Sequence, residues 1–318
     1  MSTELRRPRK ALRWLAWVAL AWNVLVILWG AMVRATGSGA GCGNHWPLCN
    51  GQVIPTSPRI ATIIEFTHRC MTGGATLLVL AVLIGVFLAT DKGHRARIAA
   101  VVTTLLLVNE ALLGAVLVKL GYVTTNRSLG RVVALSIHLS NTLLLMAALT
   151  VTAILLERGV ARPRVTAGKA TRWWVSGGLI ATIVVGVSGS LAALGDTLFP
   201  SATLAQAMAQ DFATNAPLLL RLRWVHPAAA CVATIFVAWI LAAGLRRGFR
   251  GGALVVAALL AIQFALGVAD VLLLAPVWMQ ILHLLGADLY WIALVLLSYS
   301  ILIGPCTSAD SASNATGE

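Results

Sequence analysis

The chain has 318 residues, of which 59% are hydrophobic and 11% are charged. A soluble globular protein carries about 45–50% apolar and about 25% charged residues, so this composition excludes a soluble enzyme and indicates a protein with many membrane spans. The net charge of +13 would suit a nucleic-acid-binding protein, but basic loops on one side of a membrane explain the same excess, and the distribution of the charges favours the second explanation.

Hydropathy and helix-breaking residues divide the chain into apolar segments that are each long enough to cross a bilayer. In chain order the predicted spans are residues 12–33, 61–90, 98–119, 130–156, 173–194, 217–245, 252–275 and 277–303. The first span has a basic start like that of a secretory signal, but its apolar core is longer than the roughly 7–15 residues of a signal peptide. We therefore predict an all-α integral membrane protein with eight transmembrane helices.

The loops between the predicted spans alternate between basic and non-basic. Sixteen of the 24 Lys and Arg residues lie in the N-terminal tail and in every second loop, and the other eight lie in the remaining loops or at span ends that face them. The positive-inside rule then places the N-terminus in the cytoplasm, and an even number of spans returns the C-terminus to the same side. The simplest location is the inner membrane of a bacterial cell.

Matching residues indicate that the second half of the chain repeats the first. His68 and His138 match His226 and His283, at offsets of 158 and 145 residues. Further matches are Gly30 and Gly39 with Gly186 and Gly195, and Leu113-Gly114 with Leu266-Gly267. Because the offsets change only across loops, we predict a tandem duplication of a four-helix bundle. The predicted domains are residues 1–157, a cytoplasmic linker at 158–172, residues 173–303, and a polar cytoplasmic tail at 304–318.

Four of the six histidines fall inside predicted spans, one in each even-numbered span. They are His68, His138, His226 and His283, and all lie roughly 10–14 Å below the outer surface. A lone histidine in a span is often a packing residue, but four at one depth favour ligands. Two per bundle are too few for a closed zinc site, whereas heme iron needs two axial ligands and hides its ring between helices. We predict one bis-histidine heme per half.

The two halves differ at the position three residues before the first histidine, where Glu65 stands in one half and Arg223 in the other. A carboxylate beside a heme can exchange protons during chemistry at the ring, and an arginine in that place can pair with heme propionates. This asymmetry predicts a reacting heme in the N-terminal half and an electron-carrying or structural heme in the C-terminal half. The alternative for Glu65 is an ion pair with Arg69 or Arg34 at the mouth of its helix.

The first outer loop contains two cysteines, Cys42 and Cys49, on the oxidising side of the membrane. We predict a disulfide between them and leave two roles open: a staple that closes a short loop, worth roughly 2–3 kcal/mol, or an exchangeable redox pair. The other cysteines have no partner at suitable spacing; they are Cys70, Cys231 and Cys306.

Two acidic residues lie deep inside predicted spans, Glu110 in the third and Asp270 in the seventh. A charged side chain in the hydrocarbon region is costly, so such a residue commonly has a specific role. Two roles stay open for both residues: lining a polar path, or bonding to a neighbouring helix.

These motifs resemble those of the heme A synthase family, over nearly the whole chain. The resemblance rests on the run from Arg34 to Cys42, on Trp46-Pro-Leu-Cys49, on Glu65-Phe-Thr-His68-Arg69 and on the later histidines. It implies an enzyme that oxidises the C8 methyl of heme O to a formyl group, giving heme A for terminal oxidases, and it points to the bacterial branch with a cysteine pair. The implied partners are heme O, membrane lipid, a heme O synthase, and quinol or another electron carrier, without nucleic acid.

The same resemblance implies roles for individual residues. His68 and His138 would flank the substrate heme, with Glu65 catalytic, and His226 and His283 would ligate a heme b cofactor. Oxidation needs a coordination position that can open, so one of His68 and His138 would have to bind weakly, and the sequence does not show which. Candidates for heme propionates or ion pairs are Arg34, Arg69, Arg131 and Arg223.

Two other classes of protein remain open. A di-heme b-type membrane cytochrome, passing electrons between quinol and the Cys42–Cys49 pair, would keep the four histidines but would not need Glu65. A transporter would account for the duplication and for acids within the spans. Transporter repeats, however, are more often inverted and have broken helices, and the matched histidines would then be unexplained.

Overall fold

A computed structural model describes residues 10–159 and 161–304 of the chain. In this part of the chain the secondary structure consists of nine helices and one β-bridge, without a strand. The helices are α1 Lys10–Ala35, α2 Ile60–Ala89, α3 Arg95–Lys119, α4 Leu129–Arg158, α5 Lys169–Leu198, α6 Leu204–Asp211, α7 Leu218–Arg246, α8 Arg250–Leu272 and α9 Val277–Ile303.

Eight of these helices, all except α6, are long and apolar enough to cross a membrane. They correspond one to one with the predicted spans, and no predicted end differs from the observed end by more than four residues. The all-α membrane fold with eight spans is therefore confirmed. Two parts of the prediction lie outside the described residues: the N-terminal tail up to Arg9, and the polar tail from residue 305, which includes Cys306.

Local signals explain where individual spans begin and end. Ser128 precedes α4, and its hydroxyl accepts a hydrogen bond from the backbone N–H of Arg131, which satisfies one unpaired donor of the first turn. Gly159 ends the same helix in the left-handed region, at φ 63°, which glycine adopts without steric cost. Pro217 and Pro276 directly precede α7 and α9, where a missing N–H removes no helical hydrogen bond.

The short helix α6 lies between α5 and α7 and was not predicted. Its eight residues are too few to cross a membrane, and none of them is buried. Thr203 accepts a hydrogen bond from the N–H of Gln206, and the Gln206 side chain accepts one from the N–H of Ala202, an arrangement close to a capping box. The Thr-x-x-Gln spacing was therefore the available signal, and hydropathy alone does not detect it.

Helix contacts divide the eight spans into two sets of four. In the first set α1 packs against α2, α2 against α3, α3 against α4, and α4 against α1, which closes a ring. In the second set α5, α7, α8 and α9 close a ring in the same order. The sets meet where α4 packs against α5 and α9 and where α1 packs against α9. These rings coincide with the predicted halves, and the duplication itself stays a prediction.

One buried core joins the two sets of helices, since it includes apolar residues from all eight spans. At its centre α4 meets α9, where Trp291 is 2% exposed and donates from Nε1 to the carbonyl oxygen of Leu143 at 2.8 Å. In lipid, helices associate through close packing and such interhelical hydrogen bonds, because the tails are as apolar as the side chains. The core therefore holds the two candidate sites at fixed positions relative to each other.

The orientation of the helices in the membrane gives a testable prediction, based on the distribution of basic residues. A fluorescent-protein fusion that ends after Arg250 is expected to be active in the cytoplasm, and an alkaline phosphatase fusion after Gln206 is expected to be active outside. Each reporter at the other position serves as the control and is expected to be inactive. The reverse pattern would place Cys42 and Cys49 on the reducing side of the membrane.

Candidate functional site

The four histidines within the spans lie on four different helices and form two pairs. Each lies six to nine residues after the first residue of its helix, which corresponds to about 9–14 Å along the helix axis. One pair is His68 of α2 and His138 of α4, and the other is His226 of α7 and His283 of α9, whose ring centroids are 6.3 Å apart. Each set of four helices therefore brings its own two histidines together.

Glycines on facing helices let two of these rings lie against a helix backbone. A Cβ added at Gly30 of α1 would lie 3.1 Å from Cε1 of His68, and one added at Gly189 of α5 would lie 2.8 Å from Cε1 of His226. A larger residue would push either ring away, so both glycines help to set the ring positions. Gly189 thus makes the same kind of ring contact as Gly30, whereas Gly186, the predicted match of Gly30, lies against a leucine of α4.

The pair on α7 and α9 has a spacing that fits axial ligation of one metal ion. The ring centroids of His226 and His283 are 6.3 Å apart. Two imidazoles that hold one ion from opposite sides through bonds of about 2 Å have centroids roughly 6 Å apart. Nδ1 of His226 lies 3.1 Å from the carbonyl oxygen of Val185, which can only accept, so Nδ1 carries the proton and Nε2 keeps its lone pair. The residues present therefore fit a bis-histidine heme.

The pair on α2 and α4 is less symmetrical. Nδ1 of His68 is buried and has no hydrogen-bond partner among the described residues. Nδ1 of His138 lies 3.1 Å from Oε1 of Glu110 on α3, which is an ion-pair distance, although the contact does not meet hydrogen-bond geometry. The two rings of this pair are thus held by different means.

Glu110 is bonded to the neighbouring helix α4. Nδ2 of Asn141 donates to its Oε2 at 2.6 Å, and the hydroxyl of Thr142 donates to its Oε1. Of the two roles left open for Glu110, contact with a neighbouring helix is the one that the structure shows. Asp270 of α8 has no such contact: its Oδ1 is buried without a hydrogen-bond partner in the described part of the chain.

Glu65, one turn before His68, is 3% exposed and uses both carboxylate oxygens. Nη2 of Arg69 donates to Oε1 at 2.5 Å, and the backbone N–H of Cys42 donates to Oε2 at 2.8 Å. Of the two ion-pair partners left open by the sequence, the one observed is Arg69, and Arg34 makes its contacts elsewhere. A buried carboxylate next to the first histidine pair is therefore held in one orientation by a cation and a loop amide.

The loop between α1 and α2 is tied to the start of α2 by the same arginine. Nη1 of Arg69 donates to the carbonyl oxygens of His45 and Leu48, both at 2.7 Å. Within this loop Cys42 and Cys49 form a disulfide, with Cα atoms 4.4 Å apart, which confirms the predicted pairing. The disulfide loop and Glu65 therefore belong to one connected structure.

Comparison with known proteins places this arrangement in a family. The model of the COX15-CtaA cytochrome oxidase assembly proteins matches residues 13–295. The chain belongs to the COX15-CtaA family. Its predicted membership of the heme A synthase family, in the branch with a cysteine pair in the first loop, is thereby confirmed.

Individual relatives differ in how much of their length this family member covers. The chain is 44% identical over 309 residues to a protoheme IX farnesyltransferase of Thermus thermophilus, an alignment that covers 90% of the chain and 48% of the relative. The chain thus spans about half the length of that curated relative. It is 28% identical over 319 residues to a heme A synthase of Bacillus mycoides, covering 95% of the chain and 96% of the relative. A heme A synthase of Bacillus cereus is 37% identical over 113 residues, or 36% of each chain.

The arginines that the sequence offered for propionates or ion pairs all have protein partners in this family member. Arg223 lies 2.9 Å from Oδ1 of Asp196 and 3.0 Å from Oδ1 of Asp211. Arg131 is 4% exposed and donates from Nη1 to the carbonyl oxygens of Thr124 and Asn126. Arg223 therefore forms ion pairs with two carboxylates, one on α5 and one on α6. The spacing of residues in the sequence indicated neither partner.

Arg34 connects the two sets of helices. Its Nη1 donates to the carbonyl oxygen of Ala193 at 2.8 Å and to the hydroxyl of Thr197 at 3.0 Å, both on α5. Its Nη2 donates to Oε1 of Gln280 on α9 at 2.9 Å. Among the described residues, this cation of α1 donates hydrogen bonds only to groups of the second set, which explains why it does not pair with Glu65.

Neither histidine pair belongs to a larger set of metal-ligating side chains among the described residues. In residues 10–159 and 161–304, no group of three or more His, Cys, Asp and Glu side chains is placed to hold a metal ion.

Proposed function

We propose that the protein is a heme A synthase, which oxidises the C8 methyl of heme O to a formyl group. The observation that carries this proposal is a buried carboxylate, Glu65, one turn before His68, at the position that Arg223 occupies before His226. Membership of the COX15-CtaA family and the nearly full-length similarity to a relative named heme A synthase support the same reaction. The enzyme is accordingly a membrane oxidoreductase.

The two histidine pairs have different proposed ligands. His68 and His138 hold the substrate, heme O, and His226 and His283 hold a resident heme b. The second assignment is supported by the 6.3 Å spacing of the rings and by the proton that the Val185 carbonyl fixes on Nδ1 of His226. A heme b in that half would supply one-electron transfer. This division corresponds to the proposed domains, residues 1–157 and 173–303, joined by the linker at 158–172.

Glu65 is the proposed catalytic residue. Conversion of a methyl to a formyl group adds one oxygen atom and removes four electrons, so it needs an oxidant and an oxygen source from outside the chain. The protons released at the ring need an acceptor at its edge. Glu65 lies one turn before His68 on the same helical face, so its carboxylate is near a ring held by that histidine. The contacts from Arg69 and from the N–H of Cys42 fix its orientation, which is what a proton acceptor at a defined atom requires.

The arginines have a secondary proposed role. In the bound state the propionates of each heme need cationic partners, and Arg34, Arg69, Arg131 and Arg223 are the candidates. Arg69 and Arg223 lie nearest in sequence to a histidine ligand, one residue after His68 and three before His226. Both already contact carboxylates, so propionate binding would share or replace those contacts.

The proposed partners follow from the substrate. Heme O carries a farnesyl-derived chain, so a prenyl transfer to protoheme must precede this reaction. The relative of which this chain covers 48% is named protoheme IX farnesyltransferase, which supports a working link with a heme O synthase. Quinol or another electron carrier is the proposed redox partner. We place the protein in the bacterial inner membrane with both termini in the cytoplasm.

A second candidate function is a di-heme b-type cytochrome that passes electrons between quinol and the Cys42–Cys49 disulfide. One observation favours it. Both carboxylate oxygens of Glu65 accept hydrogen bonds within the protein, so holding the disulfide loop against α2 would account for this residue without a catalytic role. This alternative leaves the chemistry of heme O to another protein.

Heme analysis of the purified protein separates the two functions. When the protein is expressed together with a heme O synthase, extracted heme is expected to contain heme B together with heme O or heme A. In a host without heme O synthase, the matched control, only heme B is expected. The measurement is chromatography of the extracted heme with pyridine-hemochrome spectra. Heme B alone under both conditions would favour the cytochrome and contradict the synthase.

A further inference from the structure

We propose that Glu110 is a positioning residue that makes His138 the firmly held ligand of the N-terminal site and leaves His68 as the ligand that releases. This inference rests on the proposed binding of heme O between these two histidines. It assigns an order of ligand strength within the pair, which neither the sequence nor the family membership provides.

The first step is the contact between the carboxylate and the ring. Oε1 of Glu110 lies 3.1 Å from Nδ1 of His138. A histidine ligand whose second ring nitrogen faces a carboxylate has a fixed orientation and a more basic ligating nitrogen, and loss of such a partner costs roughly 10–100-fold in metal affinity. The contact is imperfectly aligned without a bound ligand, as such contacts often are before they tighten on binding.

The second step is that Glu110 is itself held in place. Its carboxylate accepts from Asn141 and Thr142 of α4, and Nδ2 of Asn109 donates to Oδ1 of Asn141 at 2.8 Å. The side chain of Glu110 is 19% exposed, and that of His138 is 26% exposed. A carboxylate inside a membrane span is costly, and two donors on α4 reduce that cost while they aim one oxygen at the imidazole.

The third step is the contrast with His68 in the same site. Nδ1 of His68 is buried and has no hydrogen-bond partner among the described residues. The nearest acid in sequence, Glu65, is engaged by Arg69 and by the N–H of Cys42 and not by the ring. Packing against Gly30 is the main restraint on this imidazole that the structure shows. His68 is therefore the less firmly held of the two iron ligands.

The fourth step is the contrast with the C-terminal site. At the offset that aligns Leu113-Gly114 with Leu266-Gly267, the counterpart of Glu110 is Gln263. Nε2 of Gln263 donates to the backbone carbonyl of His283 at 3.0 Å, and Nδ1 of His283 has no partner in the described chain. At this aligned position the N-terminal half, which also contains Glu65, has a carboxylate, and the C-terminal half has an amide. A heme site that must open one coordination position and keep the other benefits from two ligands of unequal strength. A heme site that only transfers electrons does not need this difference.

The test compares single variants of the full-length protein loaded with heme O. Transfer of heme O to excess apomyoglobin measures how firmly each variant holds it. His138→Ala and Glu110→Gln are expected to release heme O about tenfold faster or more than wild type, and His68→Ala is expected to release it less than threefold faster. Glu157→Gln, which removes an ion pair with Arg13 far from both sites, is the control and is expected to match wild type.

A second readout separates positioning from general loss of structure. Glu110→Gln is expected to raise the midpoint potential of the N-terminal heme, because a less electron-rich imidazole favours the reduced iron, and to leave the potential of the C-terminal heme unchanged. Equal release from His68→Ala and His138→Ala, or unchanged release and potential in Glu110→Gln, would overturn the inference. If Glu110→Gln does not accumulate in the membrane, the difference in heme O release between His68→Ala and His138→Ala still tests the inference. Failure of wild type to bind heme O would instead contradict the proposed function.

Discussion

Replacement of Glu65 by glutamine is expected to lower heme A formation by about 100-fold or more while the protein still inserts and binds heme. Glutamine has nearly the same shape and can still accept the hydrogen bond from the N–H of Cys42, so the loop contact is kept. It cannot act as a proton acceptor, and loss of a positioned acid or base commonly costs 10²–10⁴-fold in rate. Heme A per mole of protein, measured after supply of heme O, gives the result.

Two comparison variants show which property of Glu65 matters. Glu157→Gln also removes an acid from an ion pair, but at α4 and away from the histidines, and wild-type heme A output is expected. Arg69→Gln removes the ion pair and keeps the carboxylate, so a smaller loss than in Glu65→Gln is expected. Wild-type output from Glu65→Gln would reduce Glu65 to an anchor for the disulfide loop. Equal losses in Glu65→Gln and Arg69→Gln would assign the effect to the ion pair.

Replacement of His283 by alanine is expected to remove most of the heme b, about tenfold or more, and to leave the N-terminal site able to bind heme O. The two histidine pairs lie in different rings of helices, and the spacing of His226 and His283 fits one iron between them, so a heme b in that half would keep one protein ligand in place of two. Heme B and heme O are quantified separately in the purified variant. His226→Ala is expected to behave in the same way.

A histidine outside the spans provides the control for this experiment. His45 contributes its backbone carbonyl, and not its imidazole, to the contact with Arg69, so His45→Ala keeps that contact and is expected to leave both hemes in place. Equal loss of heme B and heme O from every histidine variant within the spans would show that the two halves are not separable sites.

Much of the fold could be predicted because the bilayer imposes a simple length and composition on each span. The bounds of α9 were predicted to the residue, and those of α5 were short by four residues at each end, where the helix extends beyond its apolar core. Hydropathy did not find α6, which has no buried residue and is marked only by the polar pattern from Thr203 to Gln206. Short polar helices outside the membrane are set by hydrogen bonds, which average hydropathy does not detect.

The contacts of the site were only partly predictable. The pairing of Glu65 with Arg69 is a local one, four residues apart on one helix, and was among the stated alternatives. The partners of Arg223, Asp196 and Asp211, come from other elements and depend on how α5 and α6 pack against α7. The sequence matched Gly30 with Gly186, but the glycine of α5 that lies against a histidine ring, as Gly30 does, is Gly189, and ring contact cannot be deduced from glycine identity.

The contacts of Arg34 bear on how such a chain could have arisen. If the halves descend from one ancestral unit, the counterpart of Arg34 at the offset that relates Gly30 to Gly189 is Ala193, whose carbonyl oxygen accepts from Arg34. A symmetric dimer of identical units would have brought two such arginines together near its twofold axis, where like charges repel in a low-dielectric medium. Fusion into one polypeptide lets each copy change separately, so one arginine can be kept and the other lost. On that view, Ala193→Arg would place two arginines side by side at the junction of the two sets of helices.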